Sequence, residues 1–432
     1  MAETAAVQGQ THTTAAHSWI GELLLRLIGA VLQVGATWAL VHALTPDEAG
    51  VYFRGFVIAL GLSTLLRGKY EIYMAHHIIG RRAACNVSTG AVLMQLARRM
   101  LLRSSLVCAA LLVVTADLDI QAPQLQAMLQ TYLPFVLALP FVSLSSFLGE
   151  ALRAANRTLG IVVAAYAVNL SILLAVALAP PDASLDLYSW AFLCGSVVAA
   201  GVALLLARHA FPAPRAESSQ PVCREVLEAV DGREWIGLAR GALLWGPLCI
   251  LCVWAPAIDM AQYAVAARTA LIVDFFLPAL NLTGARETLL AAQPMQAAGR
   301  FRPSQLAVAL LYSSVLVVPL LVLAPPTLTL FGKPYDSQLP LTVYALLLGV
   351  QWANCVGRPA VRRAVLDWDA HRIGIAIGSG AVVSILICAF GVNAYGALAA
   401  AAASLVGAVI VNARAILMAL SDRPGEPPAA AA

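Results

Sequence analysis

Apolar blocks of about 20 residues, separated by short polar stretches, recur from Trp19 nearly to the C-terminus, and this repetition leaves few architectures open. A helix needs about 20 apolar residues to cross a bilayer. Twelve such blocks fall at about 19–44, 49–66, 100–117, 127–149, 158–179, 187–207, 236–256, 261–282, 304–325, 339–357, 372–391 and 395–417. A transmembrane barrel would show ten-residue segments of alternating character, whereas runs such as Ala381 to Phe390 are continuously apolar. The sequence therefore predicts an all-α fold, a polytopic membrane protein with about twelve transmembrane helices. Composition points the same way, because only 12% of the 432 residues are charged against roughly 25% in soluble domains. A water-soluble enzyme, a nucleic-acid binder and a disordered chain are excluded, and no nucleic-acid partner is expected.

Cations near span ends favour the cytoplasm, so the 27 Lys and Arg residues test the map. With the N-terminus inside, 22 fall in cytoplasmic loops or at cytoplasmic helix ends, four lie within spans, and Lys333 alone lies outside. The acids Asp47, Glu48, Asp117, Asp119, Asp182, Asp186, Asp259 and Asp336 collect on the opposite side although they did not set the assignment. Both termini are expected in the cytoplasm. Residues 1–18 hold no Lys or Arg and no apolar core, so they read as a cytoplasmic tail rather than a cleaved signal. No outside loop exceeds about 17 residues, whereas the inside loops at 67–99, 208–235 and 283–303 are longer. That leaves no room for an extramembrane catalytic domain. It also weighs against a membrane-embedded polysaccharide polymerase or ligase.

The polar stretch 208–235 divides the chain into two lobes of six spans, 19–207 and 236–417, followed by a tail at 418–432. The halves echo one another. Trp19-Ile20-Gly21 opens span 1 and Trp235-Ile236-Gly237 opens span 7, with Arg26 and Arg240 shortly after. An acid-bearing turn and a Tyr follow each span, as Asp47 to Tyr52 and Asp259 to Tyr263. Two six-span halves in the same orientation are a transporter architecture.

The turn LTPDEAGVYFRG, its echo IDMAQYAVAARTALIVDFFLPALN, the segment LTLFGKPYDSQLPLTVYALLLGVQ and the small-residue stretch NAYGALAAAAASLVGAVIVN resemble the polysaccharide (O-antigen-type) flippases of the multidrug/oligosaccharidyl-lipid/polysaccharide exporter superfamily. The resemblance implies two six-helix lobes around a central cavity that work by alternating access. It implies a bacterial inner-membrane location, an undecaprenyl-diphosphate-linked oligosaccharide as substrate, contact with membrane lipids, and polysaccharide polymerase machinery as a partner. A cation-coupled multidrug exporter of the same superfamily is the alternative, sharing the fold but favouring unpaired acids in one lobe.

Ionisable side chains within spans are expensive and mark function by default. Here they are Glu22 and Arg26 in span 1, Arg54 in span 2, Arg240 in span 7, and Arg268 and Asp274 in span 8. Glu22 and Arg26 share a helix face at i, i+4 and can pair. Arg268 lies roughly 12 Å into span 8, with Asp274 about 120° further round the helix. Arginine offers a fixed fork of donors suited to phosphate oxygens, and four in-span Arg exceed two acids. Arg268, Arg54, Arg26 and Arg240 are thus the expected substrate-binding residues, with Asp274 and Glu22 as ion-coupling candidates. No catalytic residue, cofactor or metal is expected. The mid-helix pair Cys249 and Cys252 has no second pair, adjacent His76 and His77 point about 100° apart, and no GxxxxGK[ST] phosphate loop occurs. Pro134, Pro140, Pro247 and Pro278 are expected to bend their spans.

Overall fold

A computed structural model describes residues 24–25, 27–81, 89–121, 123–154, 158–180, 183–211, 234–273, 303–366 and 370–421. Among them the regular structure is entirely helical. In chain order the helices are α1 (Leu27–Ala43), α2 (Pro46–Arg81), α3 (Thr89–Gln121), α4 (Pro123–Ala154), α5 (Thr158–Leu178), α6 (Leu185–Ala210), α7 (Glu234–Trp254), α8 (Ala257–Ala270), α9 (Pro303–Val322), α10 (Ala324–Thr329), α11 (Gln338–Leu366), α12 (Ala370–Tyr395) and α13 (Ala397–Ser421). Seven are long and apolar enough to cross a membrane outright, and Leu27–Ala43, Tyr166–Leu178 and Leu306–Val322 are shorter apolar helices. The protein is an all-α, multi-pass membrane protein.

The helices exceed the blocks that define them. The stretch 67–99, expected as a loop, is mostly helix, because α2 continues to Arg81 and α3 begins at Thr89. Polar side chains do not end a helix where water can solvate them, so the apolar block marks the membrane-crossing part and not the helix. The start of α2 is fixed by local side chains. The Thr45 hydroxyl donates to Glu48 Oε2 at 2.7 Å, the Thr45 N–H donates to the same oxygen at 2.9 Å, and the Glu48 N–H donates back to Thr45 Oγ1 at 3.3 Å. That is a capping box with Pro46 at the first helical position.

The helices sort into two lobes. In the first, α4 packs against α2, α3, α5 and α6; in the second, α13 packs against α7, α8, α11 and α12. Small residues make the second lobe tight, with Ala397, Ala399, Ala400, Ala401, Ala403, Gly407 and Ala408 all buried on α13. Such residues let helix backbones approach in a setting where dispersion rather than water exclusion drives association. Between the lobes runs a seam in which α2 lies antiparallel to α7 and meets the start of α8. Proline sits inside α4 at Pro134 and Pro140 and inside α7 at Pro247, while Pro278 lies outside the described residues.

The acid-bearing turn before α8 is built differently from its echo before α2. Asp259, in the first turn of α8, accepts a hydrogen bond from the Ala397 N–H at the start of α13. Burial raises its carboxyl above the ordinary value, and that backbone bond works the other way. Gly396 next to it has φ +47°, and a Cβ there would lie 1.7 Å from Asp259 Oδ2. Gly396→Ala is therefore expected to lower stability by about 1–3 kcal/mol, read as a drop in melting temperature of the purified protein with α-helix content unchanged.

Candidate functional site

The seam is closed along its length by residues that only small or flat side chains permit. At one end, the outer end on the charge assignment, Gly50 of α2 meets the first residue of α8, and a Cβ on it would stand 1.9 Å from the Ala257 carbonyl oxygen. At the other end Gly241 of α7 faces Leu65 of α2. Between them the Trp245 indole N–H donates to Thr64 Oγ1 at 3.0 Å. On a second side α1 joins the contact, where Gln33 Nε2 donates to the Arg268 carbonyl at 3.0 Å and the Trp38 indole N–H donates to the Leu330 carbonyl at 2.9 Å.

Two of the expected binding residues, Arg54 and Arg268, each reach across this seam, in opposite directions. Arg54 projects from α2, and its Nη2 donates to the Ala255 carbonyl just past the end of α7. A helix C-terminus carries partial negative charge from its unsatisfied carbonyls, which suits a cation. The Tyr132 hydroxyl of α4 lies within hydrogen-bonding reach of the same guanidinium.

Arg268 projects the other way, from α8 into the first lobe, and is 8% exposed. Its Nη2 donates to Asn169 Oδ1 of α5 at 3.1 Å. Its guanidinium carbon stands 4.8 Å from the centroid of the Phe56 ring of α2. Behind Phe56 stands an aromatic wall, with Phe56 to Phe192 at 5.7 Å, Phe192 to Phe135 at 5.1 Å and Phe135 to Tyr52 at 5.2 Å between ring centroids. Neither arginine pairs with a carboxylate among the described residues, and the Nε of each is buried without a hydrogen-bond partner.

Magnitudes show what this leaves over. Removing a cation of this size from water costs several kcal/mol even after relaxation. A charge-assisted bond to a neutral amide returns about 1.5–3 kcal/mol and a desolvated ring face about 2 kcal/mol. Arg268 is thus held, with its charge uncompensated and one N–H unused. Each guanidinium keeps a buried Nε–H that an anion could take up.

The other expected residues stand elsewhere. Arg240 is exposed near the start of α7 and forms no hydrogen bond or ion pair among the described residues. Glu22, Arg26 and Asp274 lie outside the described residues. Sequence reasoning missed Asn169, Phe56, Tyr52 and Gln33, which are neutral and carry no charge signal. The signal that bears on Asn169 is that a buried cation without a carboxylate needs a side-chain carbonyl oxygen to face, which within an apolar span only Asn or Gln supplies.

No protein-family model matches the chain, and no curated protein sequence matches it either. Solved structures do. The chain is similar to the lipid II flippase MurJ in an inward closed conformation, with a TM-score of 0.67 at 11% identity, over 93% of this chain and 88% of that one. It is similar to the MATE transporter VcmN of Vibrio cholerae, with a TM-score of 0.60 at 14% identity, over 94% and 97% of the two chains. A third match is a MOP-superfamily transporter of Pyrococcus furiosus, described as having a binding pocket of reverse polarity, with a TM-score of 0.60 at 11% identity over 93% and 94%. The likeness covers both lobes in order, and at these identities it speaks for the fold. The chain therefore shares the two-lobed helical fold of these solved transporters.

Proposed function

We propose that the chain is a flippase, a non-enzymatic transporter that carries an undecaprenyl-diphosphate-linked oligosaccharide across the bacterial inner membrane by alternating access, for polysaccharide synthesis. The observation that carries this reading is the pair Arg54 and Arg268, set at the seam with no carboxylate partner among the described residues. A lipid diphosphate brings negative charge that must pass the low-dielectric midplane, and two guanidinium groups from opposite lobes can meet it there. An organic cation would be repelled by the same pair. Fold likeness to MurJ, whose name states lipid II as its cargo, agrees with a lipid-linked substrate. Arg26 and Arg240 are proposed to extend the cationic path towards the cytoplasmic side, and polymerase machinery is the proposed acceptor of the flipped product.

Deletion of the gene tests the reading. The expected result is loss of a surface or secreted polysaccharide, accumulation of its undecaprenyl-linked precursor on the cytoplasmic side, and unchanged resistance to cationic dyes. Normal polysaccharide with raised sensitivity to cationic compounds would instead assign drug export and make Asp274 and Glu22 the coupling candidates.

The proposed orientation, with both termini in the cytoplasm, follows from the sorting of the 27 cations. Reporter fusions at positions 120, 183 and 335 are expected to read outside, and those at 90, 220, 293 and 365 inside. One clear reversal would break the assignment.

A further inference from the structure

We propose that Asn169, together with the face of Phe56, is a resting seat for Arg268, a neutral stand-in for the anion that holds the guanidinium and the two lobes together until a diphosphate takes its place. This rests on the reading of the seam as a diphosphate site and adds a positioning residue to it. Asn169 is buried on α5 and gives Oδ1 to Arg268 at 3.1 Å. Phe56 gives its ring at 4.8 Å. Both belong to the first lobe, whereas Arg268 belongs to the second, so this contact exists only while the lobes are closed on each other around α8. The backbone repeats the link, since Gln33 of α1 donates to the carbonyl of Arg268 itself.

The chemistry of the seat explains why it is neutral. A carboxylate in the place of Asn169 would pair with the guanidinium in a dry setting, and breaking such a pair leaves an uncompensated buried charge. The arginine would then be unable to exchange partners. An amide oxygen offers a single dipole, which a doubly charged diphosphate outcompetes through two or more charge-assisted bonds. Asn169 thus sets how readily Arg268 is released, since a ligand that needs a released group binds in proportion to the fraction already free.

The seat makes opposite demands on two substitutions of similar size, which a merely structural role does not. In nanodiscs holding the full chain, Asn169→Leu removes the acceptor and is expected to tighten binding of farnesyl diphosphate about fivefold, whereas Asn169→Asp locks the arginine and is expected to weaken it at least tenfold. A ligand-free measurement tests the seat on its own. With Trp38→Cys and Leu330→Cys, both exposed and joined across the seam, the yield of a 38–330 link from a short thiol crosslinker is expected to fall with Asn169→Leu and rise with Asn169→Asp. Both shifts are expected to vanish when Arg268→Gln is added, because the pair acts as one unit. Shifts of the same sign, no shift, or shifts that persist with Arg268→Gln would overturn the seat. Unchanged farnesyl diphosphate binding by Arg268→Gln alone would overturn the diphosphate reading, whatever the crosslinks show.

Discussion

Arg268→Ala is expected to abolish polysaccharide export, by tenfold or more, while membrane levels of the protein stay near normal. The loss follows from chemistry and not from folding. Arg268 is buried with neutral partners and an unused N–H, so removing it relieves desolvation and leaves one amide oxygen, Asn169 Oδ1, without this donor. A residue that held the fold together would show the reverse, with low protein levels and export falling in proportion. Arg268→Lys is expected to restore export only in part, since an ammonium keeps the charge but has neither the planar fork nor the stacking face that Phe56 meets. Quantified surface polysaccharide, set against immunoblots of the membrane fraction, checks all three. Export at the wild-type level with Arg268→Ala would remove this residue from the site.

Gly50→Leu is expected to cause a loss of comparable size by another route. Any Cβ at this position lies 1.9 Å from the Ala257 carbonyl oxygen, 2.4 Å from its carbon and 2.9 Å from its Cα. These are backbone atoms at the start of α8, so no side-chain rotation relieves the clash and the lobes must separate at that end. Such separation also pulls Arg54 away from the Ala255 carbonyl, which lies next to the same turn. Gly50 is buried beside Ala49 and Tyr52 in the apolar cluster that Leu251, Ala255, Met260 and Ala261 continue across the seam, so the membrane level of the variant is measured beside its export. The variant is expected to fail at closing the outer end, giving no export together with increased labelling of a cysteine placed at Trp38. Normal export with Gly50→Leu would mean that this close approach is dispensable to the cycle.

What the sequence revealed here follows physical range. Membrane crossing is a property of each segment by itself, so the apolar blocks and the all-α class were legible. The cost of an in-span charge is equally local, and it marked Glu22, Arg26, Arg54, Arg240, Arg268 and Asp274 alike, without telling the buried Arg268 from the exposed Arg240. Which groups those arginines face was not legible, because Asn169 stands 99 residues from Arg268 in the chain and Ala255 stands 201 from Arg54. An amide, a ring and a backbone carbonyl look like ordinary helix residues until folding brings them together. The extent of the helices was misread for a related reason, since hydropathy reports the bilayer and the stretch from Arg67 to Arg81 lies past the apolar part of α2.

That long α2 has a mechanical consequence. Its 36 residues span about 54 Å at 1.5 Å per residue, nearly twice the ~30 Å of hydrocarbon it crosses. One end meets α8 at Gly50, and beyond Leu65 the helix turns with its own lobe, where Tyr70 is buried in one cluster with Leu93, Leu96 and Phe147. The helix is thus a lever whose short displacement at the Gly50 end becomes a long one at the far end. A rocking of about 10° would carry the Arg81 end through roughly 9 Å over that length. A spectroscopic label near Arg81 would therefore report movements of the lobes that are too small to read at the arginines themselves.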